Sequence, residues 1–150
     1  MSHHAVIGLG VAGNFAGHLE QAGEARDFVA VAVKEAIAPK AIFYLPGVAD
    51  HFLATYPLSH DTIRYPQGAD HLQIEPEVGL LCDIQYADGR VSALIPRAFG
   101  AYNDCSIRRE GARKISEKKN WGAQSKGVAA SLLPLDHLQP GGVLDGYRIA

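Results

Sequence analysis

The sequence of 150 residues contains only two cysteines, Cys82 and Cys105, and no long hydrophobic run. Two cysteines provide neither a disulfide framework nor a zinc site. Because no apolar stretch approaches the ~20 residues that a membrane-spanning helix needs, we predict no membrane segment. The first residues, Met-Ser-His-His, lack the basic start and apolar stretch of a signal peptide, so the sequence predicts a cytoplasmic protein.

An excess of charge of either sign is also lacking, because 14 Lys and Arg face 16 Asp and Glu for a net charge of −2. A chain this close to neutral is not built around nucleic-acid phosphates, so we predict no nucleic-acid partner. A hydrophobic fraction of 47% combined with this small net charge excludes intrinsic disorder. No repeat or linker divides the chain, and residues 1–150 are predicted to form a single domain.

Short strands and loops are predicted, because 8 prolines and 16 glycines interrupt the chain and disfavour long helices. The clearest element is a hairpin of residues 78–86 and 91–95. Its turn, Ala87-Asp88-Gly89-Arg90, contains the Asp-Gly pair that favours a type I′ turn. A further strand is expected at residues 98–103. The predicted fold class is α+β, dominated by β-strands, with few short helices.

Three other segments carry weaker patterns. Residues 5–9 form an apolar run typical of a short strand, and residues 143–149 are predicted to form the last strand. Residues 106–119 are rich in Arg and Lys and predict a solvated helix or a mobile lid that begins at Ser106 and carries Arg108.

A glycine motif offers one alternative function. Gly8-Leu9-Gly10-Val11-Ala12-Gly13 matches the Gly-x-Gly-x-x-Gly turn that holds a dinucleotide pyrophosphate, and Glu35 lies where a ribose-binding acid would follow. The alternating strand and helix units of such a fold do not continue past residue 35. A nucleotide-binding module that uses Gly8, Gly10 and Gly13 therefore stands as an alternative, beside a plain glycine turn.

Acidic residues suggest a metal site at the start of the hairpin. Glu75 and Glu77 flank Pro76, and side chains two residues apart on a strand share one face at a spacing of roughly 6–7 Å. Like charges on one face repel unless a proton or a cation lies between them, and oxygen ligands suit Mg²⁺, Mn²⁺ or Ca²⁺. Asp104, at the end of the strand at 98–103, would add a third oxygen ligand. The alternative is an exposed face with solvated acids.

Four short motifs follow one another along roughly residues 5–133. They are Asn-Phe-Ala-Gly-His at 14–18, Ile-Glu-Pro-Glu-Val at 74–78, Asn-Asp-Cys-Ser-Ile-Arg at 103–108 and Trp-Gly-Ala-Gln-Ser-Lys at 121–126. In this order they resemble the Asn-Tyr-x-x-His, Glu-x-Glu, Asn-Asp-x-Ser-x-Arg and Trp-x-x-x-Lys motifs of the fumarylacetoacetate hydrolase family. The resemblance implies a mixed β-sandwich or roll and a homodimer.

The resemblance also implies a divalent-metal-dependent hydrolase, decarboxylase or isomerase. Its substrate would be a small 2-oxo or enol acid, similar to an acylpyruvate, chelated by Mg²⁺ or Mn²⁺. By the resemblance, the metal ligands are Glu75, Glu77 and Asp104, the catalytic residues are His18 and Lys126, and the substrate-binding residues are Arg108 and Asn14.

Some residues depart from the pattern of this family. Gln21 stands three residues after His18 where hydrolytic members have Glu, and glutamine cannot accept a proton. Decarboxylation or tautomerisation is therefore favoured over hydrolysis, and a non-catalytic metal-binding relative is a second alternative. Trp121 and Lys126 are five rather than four residues apart, and Arg109 replaces an acid. No Gly-Thr-Pro loop precedes Ala150, so we expect a domain that is short at its C-terminus for the family.

Overall fold

The computed structural model describes residues 7–12, 41–44, 54–108, 111 and 115–146, and strands predominate among them. This confirms the prediction of a β-dominated fold with little helix. The strands are β1 (Leu9–Ala12), β2 (Ala41–Tyr44), β3 (Leu58–Ser59), β4 (Leu72–Gln73), β5 (Pro76–Ala87), β6 (Arg90–Asn103), β7 (Ser106–Ile107), β8 (Lys126–Val128) and β9 (Leu133–Pro134). Helix α1 spans Ile115–Lys119, and a 3-10 turn spans Leu135–Leu138.

The predicted hairpin is confirmed and is longer than the sequence indicated. Strands β5 and β6 pair in antiparallel register from Pro76 opposite Asn103 to Ala87 opposite Arg90. The φ angles of Asp88 and Gly89 are 53° and 71°, and a type I′ turn requires positive values at both central residues. Residues 98–103, predicted as a separate strand, form the second half of β6.

The far end of this hairpin is where several elements meet. On its other edge β6 pairs with β8 and β9, and β8 pairs in parallel with β3, which gives the order β3-β8-β6-β5. Strands β4 and β7 form a separate antiparallel pair beside the ends of β5 and β6. Gly127 permits the close approach of β8 to β6, because a Cβ atom there would lie 3.1 Å from the Cβ atom of Asn103.

The buried residues of this region are mainly polar. Phe99, Cys105 and Ile107 are the buried hydrophobic residues that the structure describes. Charged residues are seldom buried unless they are paired, so this composition indicates an organised polar site rather than an ordinary hydrophobic core. The buried polar residues are Asp104, Ser106, Lys119, Ser125 and Lys126.

Of the strand predicted at residues 5–9, residues 5 and 6 lie outside the described residues, residues 7 and 8 are not in a strand, and β1 spans Leu9–Ala12. Gly10 therefore lies inside a strand, opposite Phe43 of β2, and the two strands are antiparallel. A dinucleotide-binding turn follows a strand of a parallel sheet, so this geometry does not fit the nucleotide-binding alternative. Gly13, the third glycine of the motif, lies outside the described residues.

The prediction for residues 106–119 is wrong in two respects. Ser106 is fully buried in β7 and does not begin a helix, while Lys119 at the end of α1 is buried rather than solvated.

The strand predicted at residues 143–149 is absent from the described part of that range, since residues 143–146 form turns and Val143 is 80% exposed. Within the part of the chain that is described, no helix is long and apolar enough to cross a membrane.

Candidate functional site

Two carboxylates are brought together by the open end of the hairpin. Glu75 immediately precedes β5 and Asp104 immediately follows β6. The backbone N–H of Asp104 donates to the carbonyl oxygen of Glu75 over 3.0 Å, and the N–H of Glu75 donates to Oδ1 of Asn103 over 3.1 Å. These bonds extend the strand pairing beyond the ladder and make the two acids neighbours.

Both carboxylates contact the same ammonium group. Nζ of Lys119 lies 2.6 Å from Oε2 of Glu75 and 2.6 Å from Oδ2 of Asp104, and the Lys119 side chain is only 5% exposed. Burial alone would lower the pKa of Lys119, but the charges and hydrogen bonds of Asp104 and Glu75 outweigh it and raise the pKa above its ordinary value. Lys119 is therefore a charged ammonium between two carboxylates.

A second lysine lies on the inner side of Asp104. Nζ of Lys126, the first residue of β8, lies 3.1 Å from Oδ1 of Asp104 and donates to the carbonyl oxygen of Cys105. It also lies 4.9 Å from the centre of the Trp121 ring, within the range of a cation–π contact. Burial lowers the pKa of Lys126, and Lys119 adds to this effect while Asp104 opposes it.

Arg108 closes the outer side of the site. Its Nη2 lies 3.1 Å from Oε1 of Glu75, and its Nε donates to Oε1 of Gln73 over 2.6 Å. Its backbone N–H donates to the carbonyl oxygen of His71 over 3.1 Å, which fixes the residue beside β4. The side chains of Arg108 and Glu75 are 28% and 17% exposed, so solvent reaches the site from this side.

These five residues, Glu75, Asp104, Arg108, Lys119 and Lys126, form what we call the carboxylate–lysine cluster. Three cationic side chains face two carboxylates, which gives the cluster a net charge of +1 when every member is ionised. A partly open cluster with this surplus attracts an anion, whereas an added cation is repelled unless one of the three withdraws.

A comparison with protein families now bears on this cluster. The model of DUF5718, a family of unknown function, matches residues 24–150. The chain belongs to the DUF5718 family. The match contains every residue of the carboxylate–lysine cluster, so the cluster lies within the DUF5718 domain. No curated protein and no solved structure matches the chain.

Glu77, the third predicted metal ligand, occupies a more exposed position in this DUF5718 domain. It lies in β5 opposite Tyr102 of β6. Among the described residues, no three His, Cys, Asp or Glu side chains converge as a ready metal site. The structure thus brings Glu75 and Asp104 together, while Glu77 lies two residues further along the hairpin.

Tyr102 is a further polar residue beside the cluster. Its hydroxyl group is buried and has no hydrogen-bond partner in the described part of the chain. Burial, and then the charges of Asp104 and Glu77, raise the pKa of Tyr102 far above its ordinary value. Tyr102 is therefore a neutral phenol beside the cluster.

The position between Glu75 and Asp104 is lined by two carboxylate oxygens. One carboxylate oxygen from each residue lies at 2.6 Å from the same nitrogen, so a single cation bridges two anionic oxygens. Mg²⁺ and Mn²⁺ prefer such oxygen ligands. In this structure the ammonium of Lys119 occupies the position between the two carboxylates.

Four predicted site residues of this DUF5718 member are therefore neighbours, namely Glu75, Asp104, Arg108 and Lys126. Asn14 and His18 lie outside the described residues. Sequence reasoning missed Lys119 and Tyr102. The available signals were the position of Lys119 next to the Asn120-Trp121 motif and the position of Tyr102 two residues before Asp104.

Proposed function

We propose that this DUF5718 protein is an enzyme that acts on a small 2-oxo or enol acid with the help of Mg²⁺ or Mn²⁺. The reaction would be C–C bond hydrolysis, decarboxylation or tautomerisation. The observation that carries the proposal is that Glu75 and Asp104 share one cation position, with an oxygen of each 2.6 Å from Nζ of Lys119. The resemblance to the fumarylacetoacetate hydrolase family, with its β-sandwich or roll, supports the same reading.

The proposed metal ligands are Glu75, Asp104 and Glu77. Glu75 and Asp104 share the position described above, and Glu77 follows two residues after Glu75 on the hairpin. A divalent cation held there would supply Lewis-acid stabilisation of the enolate charge that all three reactions develop.

Residues of the chain itself would bind the substrate. Arg108 lies at the open side, and its planar guanidinium suits a carboxylate. The net positive charge of the cluster favours the approach of an anionic acid. Lys126 is fully buried behind Asp104, so we assign it the task of holding Asp104 in place. Its direct contact with substrate, and the acid–base role of His18, stay predictions.

Thermal unfolding of the protein with Mg²⁺ and Mn²⁺, with and without oxalate, tests this proposal. Oxalate mimics a chelating enol acid, and a ligand at 100 times its dissociation constant stabilises a protein by about 2.7 kcal/mol. We expect a metal-dependent rise in Tm that oxalate enlarges, followed by turnover of an acylpyruvate or of oxaloacetate. A cooperative transition that neither metal shifts contradicts the proposal, and a shift without turnover supports a non-catalytic metal-binding protein.

Replacing Glu77 with alanine is expected to abolish Mn²⁺ binding, because it removes one of three oxygen ligands. Isothermal titration calorimetry with Mn²⁺ measures this loss directly. Asp83→Ala is the matched control, since Asp83 is an acid of the same strand that pairs with Arg97 at 2.7 Å. Unchanged Mn²⁺ affinity in folded Glu77→Ala protein would remove Glu77 from the ligand set.

We also propose that the protein is cytoplasmic, in accord with its free Cys82 and Cys105 thiols.

We further propose that the protein forms a homodimer through the hairpin. Strand β5 lies at the end of the strand order, and no other described strand pairs with its outer edge. A long apolar edge strand is a template for pairing with another chain, and a two-fold axis lets the same edge serve both copies. Side chains that are 40–65% exposed cover the hairpin, namely Val78, Leu80, Ile84, Tyr86, Val91 and Leu94.

Replacing Leu80 with lysine is expected to convert the dimer into a monomer, because a charge would lie on the apolar hairpin. Sedimentation velocity at tens of micromolar protein measures the mass of both. Val143→Lys is the control, since Val143 is an exposed apolar residue in a turn outside the hairpin. A wild-type protein that sediments as a monomer would contradict the proposed dimer.

A further inference from the structure

We infer that Lys119 and the divalent cation occupy the same position in turn, so that metal binding expels the Lys119 ammonium from between Glu75 and Asp104. The inference rests on the proposed function. It adds the residue that controls entry of the cation, which neither the family match nor the sequence resemblance assigns.

The geometry leaves room for one cation at this position. Nζ of Lys119 contacts Oε2 of Glu75 and Oδ2 of Asp104, both at 2.6 Å, and its side chain is almost fully enclosed. A divalent cation binds carboxylate oxygens at about 2.0–2.6 Å, so it would need the same two oxygens from the same side. Lys119 and the metal are therefore alternatives.

The charge of the cluster points the same way. With all three basic side chains in place the cluster carries +1, and a divalent cation added to it would raise the total to +3. Withdrawal of Lys119 reduces that total by one. Lys119 is buried, as Lys126 is, but its ammonium is the group that lies between the two carboxylates, so it is the cation whose position a metal would take.

Lys119 lies close in the chain to Trp121, so a movement of Lys119 is expected to change the fluorescence of Trp121. It is the last residue of α1, a helix of only 5 residues, and Trp121 follows two positions later. The indole Nε1 of Trp121 donates to the carbonyl oxygen of Arg64 over 3.0 Å, and its ring lies against Lys126. The chain has a single tryptophan, so its fluorescence reports this segment alone.

Mn²⁺ titrations of Lys119→Met and wild-type protein by calorimetry test the inference. Methionine keeps much of the side-chain length without the charge, and we expect its dissociation constant for Mn²⁺ to fall at least tenfold because no ammonium must leave. Lys118→Met removes the same charge from the neighbouring position of α1 and is expected to bind as the wild type does. Lys119→Gln replaces Lys119→Met if the latter does not fold.

Fluorescence of Trp121 provides a second readout that does not depend on turnover. Mg²⁺ is used because Mn²⁺ quenches fluorescence. We expect Mg²⁺ to change the emission of wild-type protein, as Lys119 withdraws, and to leave that of Lys119→Met nearly unchanged. Equal changes in the two proteins would contradict the exchange.

The possible titration results separate this inference from the proposed function. Tighter binding to Lys119→Met than to wild type supports both. Binding to Lys119→Met alone supports the exchange position but overturns a metal-dependent wild-type enzyme. Wild-type binding that is unchanged or weakened in Lys119→Met overturns the inference and leaves the function standing. Binding to neither protein overturns both.

Discussion

Replacing Asp104 with asparagine is expected to lower the free energy of unfolding by about 3–5 kcal/mol, the usual cost of removing one partner from a buried ion pair. Asparagine has nearly the same shape, so the loss would come from the charge. Lys119 and Lys126 both lie against this carboxylate, and its removal leaves three cations facing Glu75 alone. The net charge of the cluster would rise from +1 to +2, and the two lysines that lose their partner have side chains that are at most 5% exposed.

Urea unfolding in metal-free buffer measures this loss. Asp83→Asn is the matched control, because it removes the same charge from an ion pair of 2.7 Å with Arg97 in which both side chains are about 60% exposed. An exposed pair of this kind contributes about 0–1 kcal/mol. If Asp104→Asn also changed stability by less than 1 kcal/mol, Asp104 would not be what neutralises the two lysines.

Local sequence signals predicted the hairpin well, because its determinants are local. The Asp88-Gly89 pair accepts the positive φ angles of a type I′ turn, and the register of the strand residues next to the turn follows from it. That register does not carry through to the open end, because it shifts between Gln85 and Tyr86 and again between Leu81 and Cys82 before Pro76 pairs with Asn103. Counting from the turn alone would place Asp104 opposite Gln73, so the meeting of Glu75 and Asp104 depends on register shifts that the sequence does not display.

The remaining elements depend on contacts that a single sequence does not display. Strand β7 is two residues long, too short for any periodicity, and its burial comes from pairing with β4. Lys119 belongs to a run of basic residues, and such a run is typical of a solvated surface. Lys119 contacts the two carboxylates because α1 ends beside the open end of the hairpin. Glu117, two residues earlier in the same helix, stays exposed.

Replacing Lys126 with methionine is expected to cause little loss of stability, in contrast to Asp104→Asn, and a large loss of function. The cluster then contains two cations and two carboxylates, and Asp104 keeps Lys119 as a partner. Removing one partner of a buried ion pair is costly when it leaves an uncompensated charge, and Lys126→Met leaves none because Lys119 still faces Asp104. If Lys126 orients Asp104 in an active enzyme, kcat would fall by about 10–100-fold, the usual effect of losing a residue that orients a metal ligand.

The pH dependence of stability gives this variant a test that needs no substrate. Burial holds the pKa of Lys126 below its value of about 10.4 in an unfolded chain, so between these two values the unfolded state binds more protons and stability rises with pH. Lys126→Met lacks that rise. Between pH 7 and 10 the free energy of unfolding of the wild type should therefore rise relative to that of the variant. Cys105 and Lys119 are present in both proteins, so the comparison concerns Lys126. A difference that is constant over this range would mean that Lys126 carries its charge in the folded protein without penalty.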